Sequence, residues 1–134
     1  MKNQKIIDVV EEIKKYFPFK NYLTDNGTIR PKYFYISNLL EKKFSKDKRL
    51  LDFGSGLNDL SGILKKLDFK IDAYDDCNDE WYKINNNLEK LREFSNKVNL
   101  NFFESIEELN NSKNTYDVIL LLDVLEHVPN PKFF

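Results

Sequence analysis

Residues 49–59 read RLLDFGSGLND, a short apolar run that ends in a turn containing two glycines. The run is typical of a buried strand, and glycines at positions 54 and 56 allow a sharp turn and the close approach of a ligand. Apolar residues at helical spacing follow over residues 60–67, and residues 69–74 again read as a strand. This order of elements favours a parallel α/β sheet with a binding site at the turn.

The alternation of strands and helices continues on both sides of this stretch. Downstream we predict a helix over 81–94, a strand over 98–103, a short helix over 106–109 and a strand over 116–122. Upstream we predict two helices, over 6–17 and from Pro31 to about residue 44, with a turn at Asn26 and Gly27. The predicted fold class is α/β, a Rossmann-like doubly wound parallel sheet domain over residues 49–134, preceded by a cap of two helices over residues 1–48.

The residues around the glycines narrow the choice of ligand. A dinucleotide fingerprint reads G-x-G-x-x-G, but Asp59 stands where its third glycine belongs and would lie near a pyrophosphate. A phosphate-binding P-loop needs a G-K-[ST] sequence, which this turn does not have. Asp52, two residues before Gly54, instead suits a ligand with a cationic end and no phosphate, such as S-adenosylmethionine.

A second carboxylate follows the second predicted strand. Asp75 comes 19 residues after Gly56, and an acid at this strand end can accept hydrogen bonds from both hydroxyls of a ribose. Asp76 is the alternative if the strand ends one residue later. The other interpretation is a solvated acid in the turn over residues 75–79.

Two segments carry a resemblance to a known family. LLDFGSG, residues 50–56, resembles the first motif of class I S-adenosylmethionine-dependent methyltransferases, with Asn58 in place of the usual third glycine. Asparagine tolerates a left-handed backbone better than most residues do. Residues 116–131, YDVILLLDVLEHVPNP, are similar to a segment of the methyltransferase group that includes the ubiquinone-biosynthesis O-methyltransferases. The resemblance implies the class I methyltransferase fold, with strand order 3-2-1-4.

The resemblance also implies a set of contacts to S-adenosylmethionine. The expected cofactor-binding residues are Asp52, Gly54, Ser55 and Gly56 at the methionine portion, Asp75 or Asp76 at the ribose, Ser105 and Ile106 at the adenine, and Leu122 at the end of the fourth strand. Chains of this family continue with a further helix and three strands. We therefore expect residues 1–134 to hold the N-terminal half, with the fourth strand as an exposed edge through which copies could form a homo-oligomer.

Asp123, Glu126 and His127 follow the fourth strand. On one helical turn these three side chains share a face and could bind a divalent ion, as some relatives do. Many relatives carry the same sequence without a metal, and we predict none here. His127 is the only histidine of the chain, so Asp123 and His127 are the candidate catalytic residues, with the imidazole as a general base.

Composition limits the remaining possibilities. The 134 residues include 21 basic and 22 acidic side chains, a net charge of −1, which gives no field that would attract nucleic acid or an anionic membrane. Cys77 is the only cysteine, so neither an internal disulfide nor a thiolate zinc site is possible. No apolar run approaches the roughly 18 residues of a membrane span, and we predict a cytoplasmic protein.

The sequence thus predicts an enzyme that transfers a methyl group from S-adenosylmethionine to a small-molecule or sugar acceptor. The alternative is a non-catalytic remnant that binds the cofactor, or a fragment that depends on a partner. A nicotinamide-dependent oxidoreductase is disfavoured by Asp52 and Asp59.

Overall fold

The computed structural model describes residues 3–122. The helices are α1 (Asn3–Lys14), α2 (Pro31–Lys43), α3 (Asp59–Lys66), α4 (Asn87–Lys97) and α5 (Ile106–Asn111). The strands are β1 (Thr24–Asp25), β2 (Thr28–Ile29), β3 (Arg49–Phe53), β4 (Lys70–Tyr74), β5 (Asn101–Phe103) and β6 (Val118–Leu120). Short 3₁₀ turns cover Lys20–Leu23 and Glu80–Lys83. Among the described residues, no helix has the length and apolar character needed to cross a membrane.

Within residues 3–122, the main sheet has four parallel strands in the order β5-β4-β3-β6. Counted by themselves, these strands follow the predicted order 3-2-1-4, and the predicted α/β class is confirmed. The small antiparallel sheet of β1 and β2 was not predicted, although its turn was. That turn has positive φ at both Asn26 (51°) and Gly27 (81°), as a tight two-residue hairpin requires.

One hydrophobic core holds the cap helices against the sheet. Apolar residues of α1 and α2 pack with those of β3, β4, α3 and α4 in a single cluster. Phe94 of α4 is buried in this cluster, with its ring 4.8 Å from that of Phe17 in an edge-to-face contact. Gly62 of α3 lies against the outer edge of this ring, since a Cβ added there would be 2.6 Å from Cζ of Phe94. Glycine therefore sets how closely α3 approaches the ring of Phe94.

Asparagine residues account for two differences from the predicted element bounds. The predicted helix over 81–94 begins only at Asn87, because Asn85 and Asn86 have positive φ values of 52° and 55° and interrupt it. The predicted strand over 98–103 begins only at Asn101, since Asn99 has a φ of 58° and forms a turn after α4. Asparagine adopts this left-handed conformation more readily than most residues do.

The fourth parallel strand is shorter and more exposed than its apolar sequence suggested. It covers Val118–Leu120, not residues 116–122, and Ile119 is 55% exposed. Val118 and Leu120 pack against the core, so the strand alternates between a covered and an open face. Within residues 3–122, β6 pairs only with β3, and association of copies through its other edge stays a prediction.

A buried acid joins distant parts of the sheet. Asp72 of β4 accepts hydrogen bonds from Nδ2 of Asn101 (3.1 Å), Nδ2 of Asn114 (3.1 Å) and the hydroxyl of Tyr116 (2.6 Å). Three donors satisfy a carboxylate that is only 7% exposed. This Asp72 network connects β4 to β5 and to the segment that leads into β6.

Candidate functional site

A cleft of about 260 Å³ opens where β3 and β6 end, beside the loop between β3 and α3. This is the point at which the strand order reverses, where open α/β sheets bind their ligands. The residues that line the cleft are Tyr22, Lys32, Asp52, Gly54, Ser55, Gly56, Leu57, Asp59, Leu60 and Leu122. The structure therefore brings together five of the nine residues predicted to bind the cofactor, namely Asp52, Gly54, Ser55, Gly56 and Leu122.

The loop between β3 and α3 depends on left-handed backbone conformations. Gly54 and Gly56 have φ values of 86° and 58°, and Asn58 has 60°. The side chain of Asn58 accepts a hydrogen bond from Ser55 Oγ (2.5 Å) and donates one to Ser95 Oγ of α4 (3.1 Å). Asn58 thus has the left-handed backbone that the sequence allowed for, and it also fastens the loop to a neighbouring helix.

Asp52 is a buried carboxylate that lines the cleft. It is 4% exposed, and Ser61 Oγ donates a hydrogen bond to its Oδ2 at 2.5 Å. Burial raises the pKa of Asp52 from its ordinary 3.8 to about 6, although the hydrogen bond from Ser61 acts in the opposite direction. Asp52 is therefore largely ionised at neutral pH and able to attract a cation.

A second buried carboxylate lies beside it. Asp59, the first residue of α3, is also 4% exposed. Its Oδ2 accepts a hydrogen bond from the hydroxyl of Tyr33 at 2.5 Å and lies 3.4 Å from Nζ of Lys32. Burial and the neighbouring Asp59 raise the pKa of Tyr33, so its hydroxyl remains a donor. The described residues that line the cleft thus include two carboxylates and one ammonium group.

The sequence did not point to Lys32 or Tyr33 as site residues, and Asp59 served only as evidence against a dinucleotide ligand. The one available signal was Pro31, which fixes the first turn of α2 and with it the two residues that follow. Nothing in the sequence placed that turn against the first turn of α3, 26 residues later.

Asp75 and Asp76 follow β4 but differ in their surroundings. Asp75 accepts hydrogen bonds from the backbone N–H of Gly56 (2.9 Å) through Oδ2 and from that of Cys77 (3.1 Å) through Oδ1. Asp76 is exposed and accepts one from the N–H of Asn78 (3.1 Å). Of the two acids, Asp75 is the one in direct contact with the glycine loop.

The remaining predicted residues lie elsewhere. Ser105 caps α5 by accepting a hydrogen bond from the N–H of Glu108 (3.1 Å), and Ile106 is 46% exposed. Neither is among the described residues that line the cleft. Asp123, Glu126 and His127 lie outside the described residues. Within residues 3–122, no group of three histidine, cysteine, aspartate or glutamate side chains could hold a metal ion.

Comparison with known proteins identifies the family. A family model described as a methyltransferase domain matches residues 29–133, which include the glycine loop, Asp75 and the segment 116–131. Searches of curated proteins and of solved structures found no match. The match covers far more than half of the chain, and the α/β fold with its cleft at the strand-order reversal is consistent with it. The chain belongs to the methyltransferase domain family and has a class I, Rossmann-like fold.

Proposed function

We propose that the cleft binds S-adenosylmethionine and that the domain serves methyl transfer to a small-molecule or sugar acceptor. The observation that carries this proposal is the pair of buried carboxylates, Asp52 and Asp59, in a cleft beside the glycine loop. Buried acids repel phosphates and attract cations, so they suit a ligand that carries an ammonium and a sulfonium.

The charges of the cleft and of the cofactor are complementary. Asp52, Asp59 and Lys32 together carry a net charge of −1 in the ionised state. S-adenosylmethionine carries an ammonium, a sulfonium and a carboxylate, which sum to +1. Calorimetric titration with S-adenosylmethionine, and in parallel with NAD, tests the proposal. Binding of NAD alone would point to an oxidoreductase instead.

Asp75 is the proposed acceptor for the ribose hydroxyls. It follows β4 at the same edge of the sheet as the cleft and already contacts Gly56. The candidate catalytic residues Asp123 and His127, and the acceptor itself, remain predictions, as do the adenine contacts at Ser105 and Ile106.

We expect Asp75→Ala to weaken S-adenosylmethionine binding by about 2 kcal/mol, or roughly 30-fold, because two hydroxyls lose a charged acceptor. Calorimetry measures the loss. Asp76→Ala removes the same charge one residue away and should change affinity little. Asp75→Asn retains an acceptor for the N–H of Gly56, so a similar loss in that variant excludes a collapse of the loop as the cause. If Asp76→Ala carries the loss instead, the ribose site is one residue further along.

We expect the affinity for S-adenosylmethionine to fall as the pH is lowered through about 6, by up to roughly tenfold per pH unit. The cationic ligand prefers ionised Asp52, and protonation of the free protein competes with binding. The effect on folding has the opposite sign, because a raised pKa in the folded state makes protonation near pH 6 stabilising. Titrations between roughly pH 5 and pH 8 should therefore show binding that weakens as the pH falls, while the chain stays folded. An Asp52→Asn variant that retains the same pH dependence would contradict the assignment.

A further inference from the structure

We propose that Lys32 makes the cleft select a zwitterionic amino-acid end over a purely cationic amine. This inference rests on the proposed function, since it concerns how the methionine portion of the cofactor is distinguished from related amines. Lys32 lies outside both segments that resemble the family, residues 50–56 and 116–131.

The ammonium of Lys32 already occupies the surroundings that a ligand cation would need. Its Nζ lies 3.4 Å from Oδ2 of Asp59, and both groups line the cleft together with Asp52. Lys32 also interacts electrostatically with Asp52: burial raises the pKa of that carboxyl most, and the charge of Lys32 lowers it. A second cation entering the cleft therefore meets like charge beside the two carboxylates.

A zwitterion avoids this conflict. Its ammonium can approach Asp52 and Asp59 while its carboxylate takes the ammonium of Lys32 as a partner, so each charge gains a counter-ion. The side chain of Lys32 is 39% exposed, which leaves it free to turn from Asp59 towards a ligand. Asp59 does not lose all of its contacts when Lys32 turns away, because the hydroxyl of buried Tyr33 still donates to it at 2.5 Å.

A purely structural role for the Lys32–Asp59 ion pair is the competing explanation. Lys32 and Tyr33 both fasten the first turn of α2 to the first turn of α3, where the ion pair has an exposed lysine and a buried carboxylate. In that case, removing Lys32 would change the affinities of all ligands of the cleft in the same way. Two ligands that differ only in the carboxylate separate the two explanations.

The test is calorimetric titration with S-adenosylmethionine and with decarboxylated S-adenosylmethionine, which lacks only the carboxylate. We expect the unaltered chain to prefer S-adenosylmethionine by at least about tenfold. Lys32→Met should lose this preference, because it binds S-adenosylmethionine more weakly and the decarboxylated ligand more tightly. Lys32→Arg keeps the charge and should keep the preference. Lys90→Met, which removes an exposed lysine of α4, is the matched control and should change neither affinity.

An unchanged ratio of the two affinities in Lys32→Met would overturn the inference, and so would an equal affinity of the unaltered chain for both ligands. Neither result would affect the proposed function, because S-adenosylmethionine would still bind. If the unaltered chain bound neither ligand, the proposed function itself would fail. Thermal unfolding of each variant confirms that the comparison is made between folded proteins.

Discussion

Gly56→Val is expected to weaken S-adenosylmethionine binding by more than roughly 100-fold, about 2.7 kcal/mol, and to leave the chain folded. Gly56 lines the cleft, and no described atom lies within 4 Å of a Cβ built on it. The valine side chain would therefore enter the open space that the ligand needs. The backbone φ of 58° at position 56 is also unfavourable for a β-branched residue, so part of the loop would shift.

Gly27→Val separates the effect of a side chain in the cleft from the effect of backbone strain. Gly27 has a φ of 81° and equally open surroundings, but it lies in the exposed turn between β1 and β2. The substitution introduces a similar backbone strain without placing a side chain in the cleft, so binding should be retained. Calorimetry measures affinity, and circular dichroism measures folding, for both variants. Normal binding by folded Gly56→Val would show that this loop does not contact the cofactor.

Gly62→Val is expected to lower the free energy of unfolding by about 3 kcal/mol. The new Cβ would lie 2.6 Å from Cζ and 2.9 Å from Cε2 of Phe94, far inside normal contact distances. The ring cannot move away easily, because it is buried and packs against Phe17 and Tyr16. The modest gain in helix propensity over glycine is too small to offset this overlap.

A double-mutant cycle with Phe94→Leu identifies the cause. A smaller side chain at position 94 leaves room for the valine, so the two substitutions together should cost at least about 1 kcal/mol less than the sum of the single effects. Urea unfolding of the four proteins gives the free energies. Additive effects would mean that the destabilisation of Gly62→Val arises somewhere other than the contact with Phe94.

The parts of the fold that could be predicted from the sequence depend on local patterns. The glycine turn at residues 54–56, flanked by a strand and a helix, marked both the parallel sheet and the position of the site. Asp52 could be identified because it precedes the glycine turn, and Asp75 because it follows a predicted strand; carboxyl ends of parallel strands meet at one edge of the sheet.

The parts that could not be predicted depend on tertiary contacts. Lys32 and Tyr33 reach Asp59 only because α1, α2 and α3 share one core, and no periodicity in the sequence shows which helices meet. Which face of β6 is covered could not be read either, since its apolar run looks the same on both faces, and Ile119 lies on the open one. Left-handed asparagines at 85, 86 and 99 shortened elements whose apolar pattern continued through them.

The Asp72 network has a consequence for the kinetics of folding. Its donors lie 29, 42 and 44 residues from Asp72 along the chain, so they meet the carboxylate only after β5 and the segment before β6 have docked. Contacts of such long range form late, because the loops between them must close first. Interactions that are absent from the transition state slow unfolding without speeding folding. We therefore expect Asp72 to act mainly on the lifetime of the folded chain, which governs its resistance to heat inactivation.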